Sequence, residues 1–357
     1  MILFYLLALT ILILLINKLL LKKKILISET GDIHQKFASK TMVPLTGGMF
    51  IFFGYLYFFN DKIFSFILFS FLIFILGFFS DLKLIKSANK RFLLQIFLIL
   101  SYSIFNDVQI NDTRIIFLDN ILQNNYINYL FVTFCVLIII NGSNFIDGMN
   151  TLCIGYYLLI SGIVFYLQLN EALFIKDISM IYVFILLLFI FLLNLTNQLY
   201  LGDSGSYLLG FSFSVFLINI YEFNEYISPF FIVLLLWYPS YENLFSIIRK
   251  NIIKRSPMYP DAKHIHQLIF FYINKKNNLS IFSSNTLTAQ MINFYHLIIF
   301  FIGLNFINNS KIQIFLILFN IAIYTLAYIN PLIAIYSFGG IGIIYILISR
   351  IASSTLR

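Results

Sequence analysis

Apolar and polar residues come in blocks along this chain and do not alternate. Apolar runs cover about 1–21, 43–59, 63–79, 92–105, 129–140, 151–169, 178–194, 206–221, 227–248, 291–307, 312–329 and 332–349. Most approach the ~20 residues with which a helix crosses hydrocarbon. They predict an all-α polytopic bundle of eleven or twelve membrane helices, since only Asn330-Pro331 divides the last two runs. The runs at 92–105 and 129–140 are short, so polar turns must lengthen those helices or neighbours must shield them. Lys22-Lys23-Lys24 follow the first run instead of preceding it, and no small-residue cleavage site appears. The expectation is an uncleaved first span and a single transmembrane domain over 1–357. The stretch "VQINDTRIIFL" departs from this pattern: its β-branched residues around Asn111-Asp112 fit a small hairpin or an irregular loop.

Composition agrees. The chain is 61% hydrophobic and 11% charged, with a mean hydropathy of +0.93, against roughly 25% charge in soluble domains. The net charge of +8 gains meaning from its placement. The loops after spans 1, 3, 5, 7 and 9 hold sixteen Lys and Arg, while those after spans 2, 4, 6 and 8 hold Lys62, Arg114 and Lys176. The excess of basic residues puts segments 22–42, 80–91, 141–150, 195–206 and 249–290 in the cytoplasm, and the loop 106–125 outside. Basic loops facing anionic head groups or substrates account for the charge without nucleic acid. Cys135 and Cys153 lie in or beside apolar runs and read as packing residues, with neither a disulfide nor a cysteine metal site.

The polar clusters share the basic side. They are "HQKFASKTMVPLTGGMF" (34–50), "GFFSDLKLIKSANKRFLLQ" (77–95), "NGSNFIDGMN" (141–150), "NQLYLGDSGS" (197–206) and "YPDAKHIHQLIF" (259–270). Five clusters on one face predict a single cytoplasmic active site at the membrane boundary. Asp203, between glycines at a helix mouth, reads as a helix cap, shared with its serines. It reads equally as a ligand to a hard cation completed by phosphate oxygens and water, with a helix start adding positive potential. Asp147 fits an Asp-Gly turn. It also fits a site in which Asn141, Asn144 and Asn150, at every third residue, crowd to its side to hold phosphate or sugar hydroxyls. Asp81 precedes Lys83, Lys86, Lys90 and Arg91: either a solvated loop or an acid placed at the membrane edge. His264 and His266, on one side if extended, are incidental or touch phosphate with Lys263. No third His or Cys lies close enough for zinc. Together this set suits phosphoryl transfer, in which a cation neutralises anionic oxygens and positioning does most of the work. Two other readings are a lipid-linked sugar transporter or flippase and a non-catalytic envelope assembly protein. Transport places ionisable groups at mid-membrane, whereas Glu242, the acid well inside a span, lies towards its cytoplasmic end.

These motifs resemble those of the polyprenyl-phosphate N-acetylhexosamine-1-phosphate transferases, glycosyl transferase family 4, over roughly residues 30–270. "PLTGG" at 44–48 resembles the family's Pro-x-x-Gly-Gly, and "NGSNFIDGMN" its Asn-x-x-Asn-x-x-Asp-Gly. "LGDSGS" resembles its Gly-Asp-x-Gly-Ser, and "HIH" at 264–266 its histidine motif. The resemblance implies attack by undecaprenyl phosphate on the sugar-linked phosphorus of a UDP-sugar, release of UMP, and a lipid diphosphate sugar that initiates a cell-envelope glycan. It implies Mg²⁺, with Mn²⁺ able to replace it, held by Asp203 and Asp147. It implies catalytic roles for Asp81, Asp147, Asp203 and His264, and substrate contacts from Lys90, Asn141, Asn144, Asn150, Lys263 and His266. It places the protein in the bacterial cytoplasmic membrane and leaves room for a homodimer. The chain departs from the family at three positions: Ser80 stands where a first aspartate is common, Gln267 where a third histidine is, and Asn150 where the pentapeptide branch has an acid. The last favours the sugar-1-phosphate branch.

Overall fold

The computed structural model of the chain describes residues 2–28, 42–59, 64–171, 173, 179–256, 263–277 and 280–330. The last apolar run, the middle of segment 22–42 and residues 259–262 lie outside them. Eleven of the twelve predicted runs fall on helices. These are α1 (Ile2–Lys23), α2 (Gly47–Phe58), α3 (Phe64–Asp81), α4 (Ala88–Phe105), α6 (Asn125–Ile146), α7 (Leu152–Leu169), α8 (Met180–Leu195), α9 (Gly202–Glu222), the pair α10 (Pro229–Leu235) and α11 (Trp237–Ile252), α13 (Ile281–Asn305) and α14 (Ser310–Ile329). Two further helices, α5 (Ile116–Leu122) and α12 (Ile265–Asn277), lie between spans.

Seven of these helices are long and apolar enough to cross a bilayer, and α10 with α11, bent by 72°, is long and apolar enough when taken together, as a broken span or a re-entrant pair. α2 and α8 are shorter apolar helices, and α4 opens on the polar turn Asn89-Lys90-Arg91. The short run at 129–140 is lengthened by polar turns at both ends. Asn124 caps α6 by accepting the Tyr126 amide at 3.0 Å, and the other end carries Asn141 to Ile146.

α9 is the central helix. Its apolar stretch is 94% buried, against 22% for α1, although α9 is the least apolar of the seven long spans. Both follow from one cause: α9 faces protein, not lipid. Small residues along it, Gly205, Ser206, Gly210, Ser212 and Ser214, let α2, α3 and α6 pack close. Buried Ser212 and Ser214 return their hydroxyls to carbonyls one turn back. The outer helices instead turn residues such as Phe4, Leu19 and Phe315 outward, where lipid covers them.

Two expectations are corrected. Residues 106–125 form no hairpin; among the described residues there is no strand, only an isolated bridge between Ile27 and Pro44. Side chains take the backbone groups that a hairpin would have paired. Asn128 accepts from the Ile110 amide at 2.8 Å and donates to the Ile110 carbonyl at 2.9 Å. Asp119 accepts from the Thr113 amide at 2.7 Å. Segment 249–290 is not simply a loop: it holds the end of α11, all of α12 and the start of α13, which Ser280 caps by accepting the Ser283 amide.

Candidate active site

Asp81 is the last residue of α3, Asp147 follows the last residue of α6, and Asp203 is the second residue of α9. α9 packs on both α3 and α6, so the three carboxylates meet where two helices end and one begins. For Asp81 and Asp147 this is the wrong end of their own helices, because the C-terminal dipole repels anions. The N-terminus of α9 offsets it. Asp81 accepts from the Asp203 amide at 2.8 Å and the Ser204 amide at 3.0 Å, one on each oxygen. The Gly202 amide supports the Asp147 carboxylate. Gly202 has φ +70°, and a Cβ there would stand 2.7 Å from Asp81 Oδ2. Only glycine fits both the backbone angle and the carboxylate.

The cap expected of Asp203 and its serines is therefore supplied by Asp81 from another helix. The residue before α9, Leu201, makes no side-chain cap, and Ser206 donates back to the Gly202 carbonyl at 3.0 Å. Asp203 is left to face the site. Its Oδ1 accepts from Asn144 Nδ2 at 2.7 Å. Its Oδ2 accepts from Ser80 Oγ at 2.5 Å, from Arg91 Nη1 at 2.7 Å and from Tyr207 Oη at 3.4 Å. Arg91 Nη1 also donates to Ser80 Oγ at 2.5 Å. Ser80 thus bridges arginine and aspartate. Burial pushes the Asp147 carboxyl well above the usual carboxylate range, and the charges of Asp203 and Asp81 push it further.

The asparagines divide. Asn144 reaches Asp203. Asn141 donates to Gln95 Oε1 at 3.1 Å and to the Leu137 carbonyl at 2.9 Å. Asn150 is buried, its amide held by Asn285 at 2.9 Å and its side chain by Asn197 at 2.5 Å. Their three-residue spacing shares a side only while the helix lasts. α6 stops at Ile146, and Thr151 turns left-handed at φ 65° before α7. Lys90 and Lys263 are exposed at the rim.

His264 and His266 open α12 instead of lying extended. Their rings stack at 5.6 Å, and His264 lies 5.0 Å from the Phe145 ring beside Asp147. Gln267 accepts from the His264 amide at 3.1 Å: three residues into the helix, it caps the start as a capping-box residue does. His264 Nδ1 sits 2.7 Å from Glu242 Oε1. His266 is fully buried, and its Nε2 has no hydrogen-bond partner. A Cβ on Gly148 would stand 3.2 Å from that nitrogen. Burial, reinforced by His264 and opposed by Glu242, lowers the His266 pKa to about 3. The sequence alone did not single out Arg91, Ser80 or Glu242 as site residues. Arg91 differs from neighbouring Lys90 by one helical step, which decides which of the two faces α3 and α9.

Fold and site define a polytopic helical membrane protein with an acidic centre where its spans end. A profile of glycosyl transferase family 4 matches residues 63–221, which include all three aspartates. It is 28% identical over 252 residues to an undecaprenyl-phosphate alpha-N-acetylglucosaminyl 1-phosphate transferase of Thermotoga maritima, covering 70% of this chain and 76% of that one. It is 25% identical over 205 residues to a probable undecaprenyl-phosphate N-acetylglucosaminyl 1-phosphate transferase of Bacillus subtilis, covering 57% of each.

Proposed function

We propose that the protein transfers a sugar-1-phosphate from a UDP-sugar to undecaprenyl phosphate at the cytoplasmic face of a bacterial membrane, releasing UMP and forming the lipid diphosphate sugar that begins an envelope glycan. The observation that carries this reading is the three-aspartate centre at the end of the spans. A lipid phosphate can reach it from the bilayer while a nucleotide arrives from the cytosol. Both relatives above are named for transfer to undecaprenyl phosphate.

The centre suits Mg²⁺. Three carboxylates gather with Arg91 paired to one of them, and the charges of Asp203 and Asp81 reach the buried Asp147. Among the described residues no three His, Cys, Asp or Glu side chains form a self-sufficient metal cage. Mg²⁺ needs none, because it keeps waters and uses one or two carboxylates with substrate phosphates. Asp203 and Asp147 would hold it, and when bound it neutralises phosphate oxygens at the reacting centre. The chain's own groups do the rest. An oxygen of the lipid phosphate attacks the phosphorus bearing the sugar, and the bond from that phosphorus to the UMP oxygen breaks. UMP takes up the bonding electrons as phosphate charge. Ser80 brings no base to the attacking phosphate, and none is required, since a phosphate monoester with a second pKa near 6 is already mostly ionised at neutral pH. Asn144 and Arg91 hold Asp203 in place, and His264 and His266 face the diphosphate.

The test is UMP release by the purified full-length chain with undecaprenyl phosphate, Mg²⁺ and a panel of UDP-sugars. Turnover with at least one sugar, abolished by EDTA and restored by Mg²⁺ or Mn²⁺, is expected. Folded protein that releases no UMP with any of them would favour the transporter or assembly readings.

A further inference from the structure

Glu242, on the arm of the broken span, has no part in the transfer as described. Its side chain is 1% exposed, and its partner His264 is 7% exposed. A carboxylate–imidazole contact buried this deeply adds little to stability over an apolar pair of equal size. An acid kept inside a spanning element marks a functional position by default.

The local structure fixes where Glu242 points. The span bends by 72° at Leu236, and Pro239, in the first turn of α11, is tolerated there because its missing amide has no helical partner in any case. The arm is then fastened to α6. A Cβ on Gly142 would overlap the Pro239 carbonyl, and Asn243 Nδ2 donates to the Ile138 carbonyl at 3.1 Å. α11 is thereby docked on α6 little more than one turn before Asp147. From this arm Glu242 reaches His264 Nδ1. The stacked His266 presents an unpartnered, fully buried Nε2 beside Gly148, and its Nδ1 lies 3.4 Å from Tyr238 Oη, also on α11. The arm therefore holds both rings, one by the Glu242 carboxylate and one by the tyrosine.

We propose that Glu242 is a positioning residue: by holding His264 Nδ1 it fixes the two histidines against the turn from Phe145 to Gly148, where they meet the diphosphate of the sugar nucleotide. The assignment rests on the transfer reading above. A carboxylate on one imidazole nitrogen sets the ring's orientation and directs the other nitrogen away, as the acids behind metal-bound histidines do, where their loss costs about 10–100-fold.

The experiment compares Glu242→Gln, Glu242→Ala, His264→Ala and the double variant Glu242→Gln/His264→Ala in the full-length protein. It measures kcat, the KM for each substrate, and UDP binding by fluorescence. Trp237, the chain's single tryptophan, reports the last: it is 2% exposed and its ring lies 5.8 Å from that of Tyr238. Glu242→Gln should lower kcat by about 10–100-fold and weaken UDP binding, leaving the KM for the lipid phosphate unchanged. The double variant should be no worse than His264→Ala. Losses that multiply in the double variant, or a Glu242→Gln protein with normal kcat and UDP affinity, overturn the proposal. If Glu242→Ala does not fold, the glutamine and double variants decide. A wild-type protein that binds UDP but releases no UMP refutes the transfer reading alone, and the effect of Glu242→Gln on UDP affinity still judges the positioning role. A wild-type protein that neither binds UDP nor releases UMP overturns both.

Discussion

Asp203 is held by four side chains on two oxygens, and each arrives from a different place: Asn144 from α6, Ser80 from α3, Arg91 from α4 and Tyr207 from its own helix. Asp203→Asn keeps the size and loses the charge, so it should abolish UMP release while the protein still inserts and elutes as the parent does. Near-normal activity in that variant would remove Asp203 from the metal assignment. Arg91→Ala should cost roughly 1.5–3 kcal/mol of the charge-assisted bonding to Asp203, about tenfold to a hundredfold in kcat. Lysine should restore part of it, because both bonds leave one nitrogen, Nη1, which a single ammonium can stand in for. His266 gives a pH dependence. Its folded pKa lies near 3 instead of near 6.5, so below about 6.5 the unfolded chain takes up a proton that the folded chain refuses. Its contribution to stability is therefore flat above that pH and declines as pH falls towards 3, by up to about 1.4 kcal/mol per pH unit. The Tm in detergent should drop between pH 7 and pH 5, and drop less in His266→Gln. An equal drop in both proteins would assign the pH effect to other groups.

The element that organises the site is the N-terminus of α9. It carries one aspartate and supports two more, so its capping is a tertiary contact. Asp81→Ala removes both acceptors of the Asp203 and Ser204 amides and should cost about 1–3 kcal/mol, read as a lowered Tm, in addition to any loss of turnover. A Tm unchanged within error would show that water satisfies those amides equally well. The helices themselves were legible because an apolar run of spanning length has little alternative in a bilayer: its backbone groups must bond internally. The bend at Leu236 and the capping of α12 by Gln267 were not legible. The bend sits inside one continuous apolar run, and Gln267 read as a missing histidine until its contact with the His264 amide was seen.

At the scale of the molecule the orientation is testable. Single cysteines at Lys90 and Lys263 should react with an impermeant maleimide from the cytoplasmic side, and one at Asn111 from the opposite side, since all three positions are exposed. The native Cys153 is buried and Cys135 partly so, which keeps the background low. Labelling of Lys90→Cys from the outside would invert the topology and move the acidic centre to the wrong face for a cytosolic nucleotide. The central position of α9 belongs to this scale too. Its modest hydropathy is that of a helix whose neighbours are other helices, and a hydropathy profile reads it as the weakest of the long spans.

By itself the amino-acid order determined the membrane helices and the segments in which the polar residues gather, and it set the expected sidedness. Hydrophobic length and the placement of Lys and Arg act locally and additively, so they can be read one stretch at a time. The three aspartates and two histidines were legible in the same way, as polar residues on one face. The tertiary structure alone decided which of their neighbours take part. Arg91, not Lys90, meets Asp203, and one asparagine of three reaches it. Asp81 caps a helix distant in sequence, and Glu242 reaches His264 across a bent span. Those outcomes depend on the rotation of each helix about its axis and on where it stops. A shift of one residue turns a side chain by about 100° (3.6 residues per turn), and only packing against the other helices sets that angle.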